Sequence, residues 1–461
     1  VNLNTMKKVS IKFLGASGTV TGSKFYIETP EINILIDCGM FQGLKELREI
    51  NWQPLPIDVS KIDVVLLTHG HLDHTGYLPR LVKEGFKGSI LATEPTLSIA
   101  RIILLDSAKI QEEQAKKANE DGYSKHPVAL PFYDLNEAEN TIKLFSGCKK
   151  DDWIELSENI RFQFKYNGHI IGSTFIHLEM FEKVFVFSGD VGRLNDELLL
   201  PPERPKWADY LFLESTYGNK LHPEENITEV LSNLIQKTIN DRGTLIIPSF
   251  AVERLQLLMY LLWQMYKKNK IPNIPIFIDS PMGNNVLNVF QQYPDWHNLS
   301  MNEFEAMCNH ATIITSYADT WKTIDDPRPK IVIAGSGMVT GGRVLTYLKQ
   351  LVDEPKTNVL LVGYQAEGTR GRQLLEGTHE LKIFGKYYPV KASIHLIESL
   401  SAHADQAELL HWIDDIKNVP EQVYLIHGEP GALDAFKVKI RDTKGWKCHI
   451  PKLNETIDLW L

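Results

Sequence analysis

The run Thr68-His69-Gly70-His71-Leu72-Asp73-His74 sets three imidazoles and a carboxylate within six residues, directly after the apolar stretch Val64–Leu67. Buried together, such groups are tolerable only if protons or metal satisfy them, and metal is the economical answer. In an extended turn His69 and His71 point to one side, while the next turn directs Asp73 and His74 to a neighbouring position. That division suits two cations better than one. Four residues do not complete two coordination spheres, so further ligands are expected after other strands. Asp37 closes the run Asn33–Ile36, Asp190 closes Phe185–Gly189, His427 closes Leu425–Ile426, and His169 stands between Gly168 and Gly172. Each alone is a weak signal, because a strand-end acid is commonly a turn residue. Their joint occurrence beside the histidine motif is what strengthens the case. His403 precedes a helix that opens with Asp405 and Glu408 in capping-box spacing, and a loop position favours an accessible role over a core one.

The elements that must position these groups follow from hydrophobic periodicity. Short strands are expected at Val9–Leu14, Lys24–Glu28, Asn33–Ile36, Asp63–Thr68, Val184–Phe187 and Leu211–Leu213, with one long surface helix over Ile99–Glu120. From residue 244 the rhythm changes to strands separated by helix-length segments: Thr244–Ile247, the helix Leu255–Tyr266, Ile274–Ile278, Thr312–Ile314, Ile331–Ala334, the helix Val344–Leu351 and Val359–Val362. Strand, helix, strand at that spacing favours a mostly parallel sheet covered on both faces. The last segment reads as Ile394–Ile397, a helix over Gln406–Ile416 and the strand Gln422–Ile426. Turns at Pro201, Pro202 and Pro205, and the stretch Gly385–Pro389, are the expected crossings between units.

Forty-nine Lys plus Arg against fifty-eight Asp plus Glu give a formal charge of -9 over 461 residues. This argues against a broad non-specific nucleic-acid coat while leaving room for a local basic groove. No apolar run approaches the 18 or more residues of a membrane span, and the amino-terminal lead Val1–Phe13 lacks the pattern of a secretion signal. Cys38, Cys148, Cys308 and Cys448 are scattered without CxxC pairing, which suits a reducing, cytoplasmic setting.

Taken together, the motifs resemble the metallo-beta-lactamase superfamily, specifically its beta-CASP branch of RNA nucleases related to the cleavage and polyadenylation specificity factor. The family's successive motifs match Asp37; His69, His71, Asp73 and His74; His169; Asp190; Glu214; His403; and His427, in family order. The resemblance implies an α/β protein: an αββα metallo-beta-lactamase sandwich over residues 1–212 and 391–461, interrupted by an α/β beta-CASP cap with a mostly parallel sheet over 213–390. It implies two Zn2+ ions per chain, with Mn2+ as the alternative. His69, His71 and His169 would hold one, Asp73, His74 and His427 the other, and Asp190 would bridge both, with Asp37 orienting a ligand. His403 would serve as general acid, supported by Glu214. A metal-activated hydroxide would then leave 5'-phosphate and 3'-hydroxyl ends. A histidine at 427 matches the RNA-processing members, so the implied substrate is single-stranded RNA, cut endonucleolytically. The competing readings are a 5'-to-3' exoribonuclease, a hydrolase of small esters or lactams, and an inactive RNA-processing scaffold. A homodimer is compatible with the resemblance.

Within the expected cap, Ser336 and Gly337 follow the strand Ile331–Ala334, and Arg343 opens the helix after it. Backbone amides and a guanidinium at such a junction suit phosphate. Thr369, Arg370 and Arg372 form a second basic, glycine-containing loop, fit for phosphate contact or for positioning the cap. Ser280 is a further polar contact and lacks a basic partner that would make it a nucleophile. None of these loops is a Walker or dinucleotide fingerprint, so no nucleotide cofactor is expected.

Overall fold

The computed structural model describes residues 6–121 and 127–461; the first five residues of the amino-terminal lead lie outside the described residues. Two seven-stranded sheets face each other. The first runs, in spatial order, Thr456–Trp460, Lys8–Phe13, Phe25–Glu28, Asn33–Ile36, Val64–Leu66, Ser89–Thr93 and Phe145–Cys148. The second runs Cys448–His449, Gln422–Ile426, Tyr210–Glu214, Lys183–Phe187, Thr174–Met180, Ile160–Tyr166 and Ile154–Ser157. Alternation drives the packing: in Ile160–Tyr166 every second residue is buried, as a strand with one face on a core requires. Ile11, Phe13, Phe25 and Ile34 from the first sheet meet Phe162, Phe164, Phe187 and Phe212 from the second. Phe187 and Phe212 stack at 4.1 Å between ring centroids, and each fully buried ring contributes roughly 1.5–3 kcal/mol. Because that core is apolar throughout, polar residues gather at the strand ends.

The strands bracketing the insertion are continuous with this sandwich, since Tyr210–Glu214 pairs in parallel with Gln422–Ile426 across the intervening two hundred or so residues. The insertion is a six-stranded sheet in the order Thr312–Ile313, Ile276–Asp279, Lys330–Ala334, Thr244–Pro248, Asn358–Val362, Ser393–Ile397, with every pairing parallel. Its edge strand Ser393–Ile397 lies past Val390, where the sequence placed the return to the sandwich; it hydrogen-bonds to Asn358–Val362 instead. The stretch around Gly385–Pro389, expected as a crossing, is one arm of an antiparallel hairpin, Glu380–Ile383 with Lys386–Pro389.

Cap and sandwich share one apolar cluster, in which Ile99, Ile103, Ile170 and Leu198 pack with Leu255, Leu258, Val286 and Phe290. The long helix begins at Glu94, earlier than its apolar periodicity indicated, because Pro95 occupies its first turn, where a proline's missing N–H costs nothing. Among the described residues no helix is long and apolar enough to cross a membrane.

Candidate metal centre

The expected ligands lie in turns after strands or, for Asp73 and His74, on a short helix, and they gather around Asp190. Val64–Leu66 delivers His69, after which His71 stands at the start of the short helix Leu72–Thr75 that carries Asp73 and His74. The loop 37–41 lies directly beneath: Cys38 N donates to His74 O at 2.7 Å, and Met40 N to Leu72 O at 3.1 Å. At Gly39 an added Cβ would lie 1.5 Å from Asp73 O, so only glycine permits this approach. Asp37 and His427 both adopt positive φ, 55° and 50°. Such backbone is uncommon for non-glycine residues and clusters at functional sites.

The donor atoms form two sets around Asp190. Oδ2 of Asp190 lies 3.4 Å from His69 Nε2 and 3.5 Å from His169 Nε2; Oδ1 lies 3.4 Å from His74 Nε2 and 3.5 Å from His427 Nδ1. His71 Nδ1 faces both His69 Nε2, at 3.1 Å, and His169 Nε2, at 3.2 Å. Asp73 Oδ2 lies 3.4 Å from His427 Nε2. His69, His71, His169 and Asp190 can therefore present one ligand atom each to a common ion, as can Asp73, His74, Asp190 and His427.

The donor chemistry fits metal. One proton cannot satisfy both contacts of His71 Nδ1, whereas a cation accepts all three nitrogens. Asp190 Oδ1 is buried without a hydrogen-bond partner, a costly state for a carboxylate oxygen unless something else meets it. Burial also drives His69 and His169 far below the ordinary imidazole value and His71 to about 4, which leaves their lone pairs free for coordination. Burial would raise Asp190, but its interactions with the surrounding imidazoles, a hydrogen bond from His74 among them, outweigh it and hold the carboxyl well below its usual range. Outer contacts fix the rings: His74 Nδ1 donates to Asp37 Oδ2 at 2.7 Å and His169 Nδ1 to Ala402 O at 3.4 Å, which aims both Nε2 atoms inward. Asp37 in turn accepts from Thr68 N and Oγ1.

Beside this cluster His403 Nδ1 lies 3.1 Å from Glu214 Oε1, and His403 Nε2 is 4.0 Å from Asp190 Oδ2. Burial lowers the His403 pKa, but the charge and hydrogen bond of Glu214 reverse this and leave it above the ordinary value. Asp405 caps the following helix through a full capping box.

The cap residues are placed differently. Ser280 caps its own helix through Gly283 N, and Thr369 caps the helix Arg370–Leu375 through Arg372 N. Ser336 Oγ accepts from Thr340 N and Gly341 N within its loop, while Gly337 packs against the Phe250 ring. Arg343 stacks on Tyr317 with its guanidinium carbon 3.5 Å from the ring centroid and donates to Thr320 Oγ1 at 2.8 Å. Arg370 donates to the carbonyls of Lys382, Val339 and Thr340, and Arg372 pairs with Glu376. These side chains are engaged inside the cap and do not converge on one point.

Comparison with known families accounts for this layout. The metallo-beta-lactamase superfamily matches residues 18–223, the Beta-Casp domain residues 255–374, and the Zn-dependent metallo-hydrolase RNA specificity domain residues 387–451. A ribonuclease of Thermus thermophilus is 32% identical over 454 residues, covering 96% of this chain and 98% of that protein. The chain belongs to the beta-CASP RNA nuclease family. An RNase J-like protein of Methanocaldococcus jannaschii is 31% identical, covering 91% of this chain and 93% of its own length. The transcription termination factor FttA of Methanococcus maripaludis is 30% identical, covering 96% of this chain and 71% of its own. A crystal structure of an Enterococcus faecalis protein of unknown function shares the fold at a TM-score of 0.55 and 12% identity, covering 98% of this chain and 100% of that one. Beta-CASP membership carries metal-dependent hydrolysis of RNA as the class of activity.

Three residues that sequence reasoning passed over support the beta-CASP site. Lys24 is fully buried and donates to Gly22 O at 3.0 Å and Gly39 O at 2.5 Å, tying two loops under the ligand turn. The Thr216 hydroxyl lies 3.1 Å from His427 Nδ1. His222 Nε2 donates to His403 O at 2.9 Å. Lys24 alone stood within an expected element, as the first residue of the strand Lys24–Glu28.

Proposed function

We propose that the protein is a zinc-dependent endoribonuclease that hydrolyses single-stranded RNA to 5'-phosphate and 3'-hydroxyl ends. The observation that carries the reading is Asp190, each of whose carboxylate oxygens faces a separate set of nitrogen donors, with a Glu214-supported imidazole alongside. His69, His71 and His169 would hold one ion, Asp73, His74 and His427 the other, and Asp190 both, with Mn2+ a workable substitute for Zn2+. When bound, two such ions lower the pKa of a coordinated water and neutralise charge on the phosphoryl group.

The protein's own contribution is to fix and protonate. Asp37 and Thr68 hold the His74 ring, and Ala402 O holds that of His169. With Nδ1 occupied by Glu214, His403 keeps Nε2 for the proton that the departing 3'-oxygen requires as the P–O bond breaks. The large insertion and the pairing of Glu214 with His403 favour a polymer over a small ester or lactam.

The test is a time course with metal-loaded protein and matched single-stranded RNA and DNA, each labelled separately at either end, with His403→Ala alongside. Early internal RNA fragments bearing 5'-phosphates, absent in the variant, are the expected result. Release of terminal nucleotides alone would replace the endonuclease by an exonuclease, and an unchanged RNA would overturn the reading.

A further inference from the structure

The hairpin Glu380–Pro389 carries an oddity that packing does not explain. Its two-residue turn is Phe384-Gly385, with φ of 48° and 80°, the all-positive pattern of a type I′ turn, which selects Asn, Asp or Gly at both positions. Phenylalanine there is strained, and the ring gains little burial in return, being 54% exposed. Tyr387, on the return arm, is 62% exposed. Both rings lie under a lysine: Lys117 Nζ is 4.7 Å from the Phe384 centroid and Lys382 Nζ 5.4 Å from that of Tyr387. Lys386 is exposed between them along the chain. Among the described residues none of these three lysines has a carboxylate at ion-pair distance, and Glu380 is the one acid within the hairpin.

The hairpin is also held at the rim where cap meets sandwich. Leu381 and Ile383 are fully buried in the cap, and Arg370 clamps Lys382 O to the loop carbonyls of Val339 and Thr340. Glu367 and Gly368 abut Gly43 and Leu44, just beyond the loop under Asp73 and His74, while Lys117 belongs to the long helix of the sandwich. Arg370, expected to meet phosphate or to position the cap, braces an element whose own cations are free.

We propose that Phe384, Tyr387, Lys117, Lys382 and Lys386 form a grip for single-stranded RNA where the cap hairpin meets the long helix of the sandwich, with bases stacking on the two rings and phosphates meeting the lysines. The inference rests on the reading of RNA as substrate. On a chain with net charge -9, an exposed patch of aromatic rings and unpaired cations is complementary to a flexible polyanion with π faces. Stacking is indifferent to sequence, so the grip would raise affinity for single strands without setting a cleavage sequence.

The experiment measures binding of a fluorescent single-stranded oligoribonucleotide to metal-loaded protein in a His403→Ala background, across a range of salt. Phe384→Ala with Tyr387→Ala should weaken binding about tenfold or more. Lys382→Gln with Lys386→Gln should make the plot of log K against log salt shallower by about 1.4, from two lost phosphate contacts. Melting temperature and metal content confirm that each variant is folded. Affinity and salt slope equal to those of the parent would overturn the grip, and so would a change of mass in light scattering with unaltered RNA affinity, which would make the patch a contact between copies. A chain that cleaves RNA while the hairpin variants bind like the parent loses the grip alone; one that neither binds nor cleaves RNA loses the substrate reading as well.

Discussion

Glu214 touches three parts of the site at once. Its Oε1 accepts from Val191 N at 2.9 Å, next to Asp190, and lies 3.1 Å from His403 Nδ1; its Oε2 accepts from Thr216 N at 3.0 Å, whose side chain reaches His427. A fully buried carboxylate with its oxygens satisfied in this way is rigid, and so is the imidazole it holds.

Glu214→Gln should therefore shift the pH profile as well as the rate. The His403 pKa is raised, with the Glu214 charge and hydrogen bond overcoming burial. The imidazolium is the donating form, so it is populated below that pKa and lost as pH rises through it. Removing the charge lets burial prevail, and the alkaline limb of kcat should move to lower pH, with kcat at neutral pH falling about 10²-fold or more. Metal content should stay near that of the parent. A profile that only scales down, with its limb unmoved, would make Glu214 a structural residue.

Asp190→Asn should lower occupancy of both ion positions together, because each carboxylate oxygen faces a different donor set. His69→Ala and His74→Ala should each lower chiefly one. Chelation should also reduce the melting temperature of the parent, since an ion bound only by the folded state stabilises it by mass action. Elemental analysis of the three variants decides the point: loss of a single ion from Asp190→Asn would remove its shared role.

How much of this was legible beforehand depended on whether a signal was local. His69 to His74 and the strand-end position of Asp37, Asp190 and His427 could be read because apolar runs ending in a polar residue announce where a strand gives out. The parallel cap sheet followed from strand and helix alternation. The strands from Phe145 to Tyr166 did not, because their polar alternate positions blur the apolar pattern and their pairing is with residues distant in sequence. The fate of Arg343 and Arg370 was also hidden. A glycine-rich loop with an arginine reads the same whether the guanidinium meets a ligand or, as for Arg370, caps carbonyls of a neighbouring loop. Gly385 and Pro389 mark a turn-rich stretch, and such a stretch reads the same whether it crosses between units or, as here, belongs to a hairpin.

Asp37→Asn should weaken metal affinity without touching metal. His74 Nδ1 donates to Asp37 Oδ2 at 2.7 Å, and an amide that turns its NH2 toward that ring loses the contact. Such outer partners of a ligand imidazole are typically worth about 10–100-fold in affinity. Competition with a chelator of known affinity measures the change directly. Equal affinity in the two proteins would assign Asp37 to the fold of the loop alone.

Lys24 provides a test that is read in stability. Its ammonium lies 4.6 Å from the Phe41 ring and 5.2 Å from that of Tyr77, fully buried, and burial lowers its pKa from 10.5 to about 8. A lysine depressed in the folded state works against folding wherever both states are protonated, which is the region below about 8. Between about 8 and 10.5 the unfolded chain still binds the proton while the folded one has released it, so this group makes stability rise with pH across that window. Lys24→Met should abolish that rise. It should also strand the carbonyls of Gly22 and Gly39, at about 1–3 kcal/mol for each one left unsatisfied, and loosen the loop that holds Asp73 and His74. Denaturant unfolding of both proteins at the two ends of the window isolates the lysine, since every other titrating group is common to them. Parallel pH dependences would show that Lys24 keeps its proton in the folded protein and that its two carbonyl bonds outweigh burial.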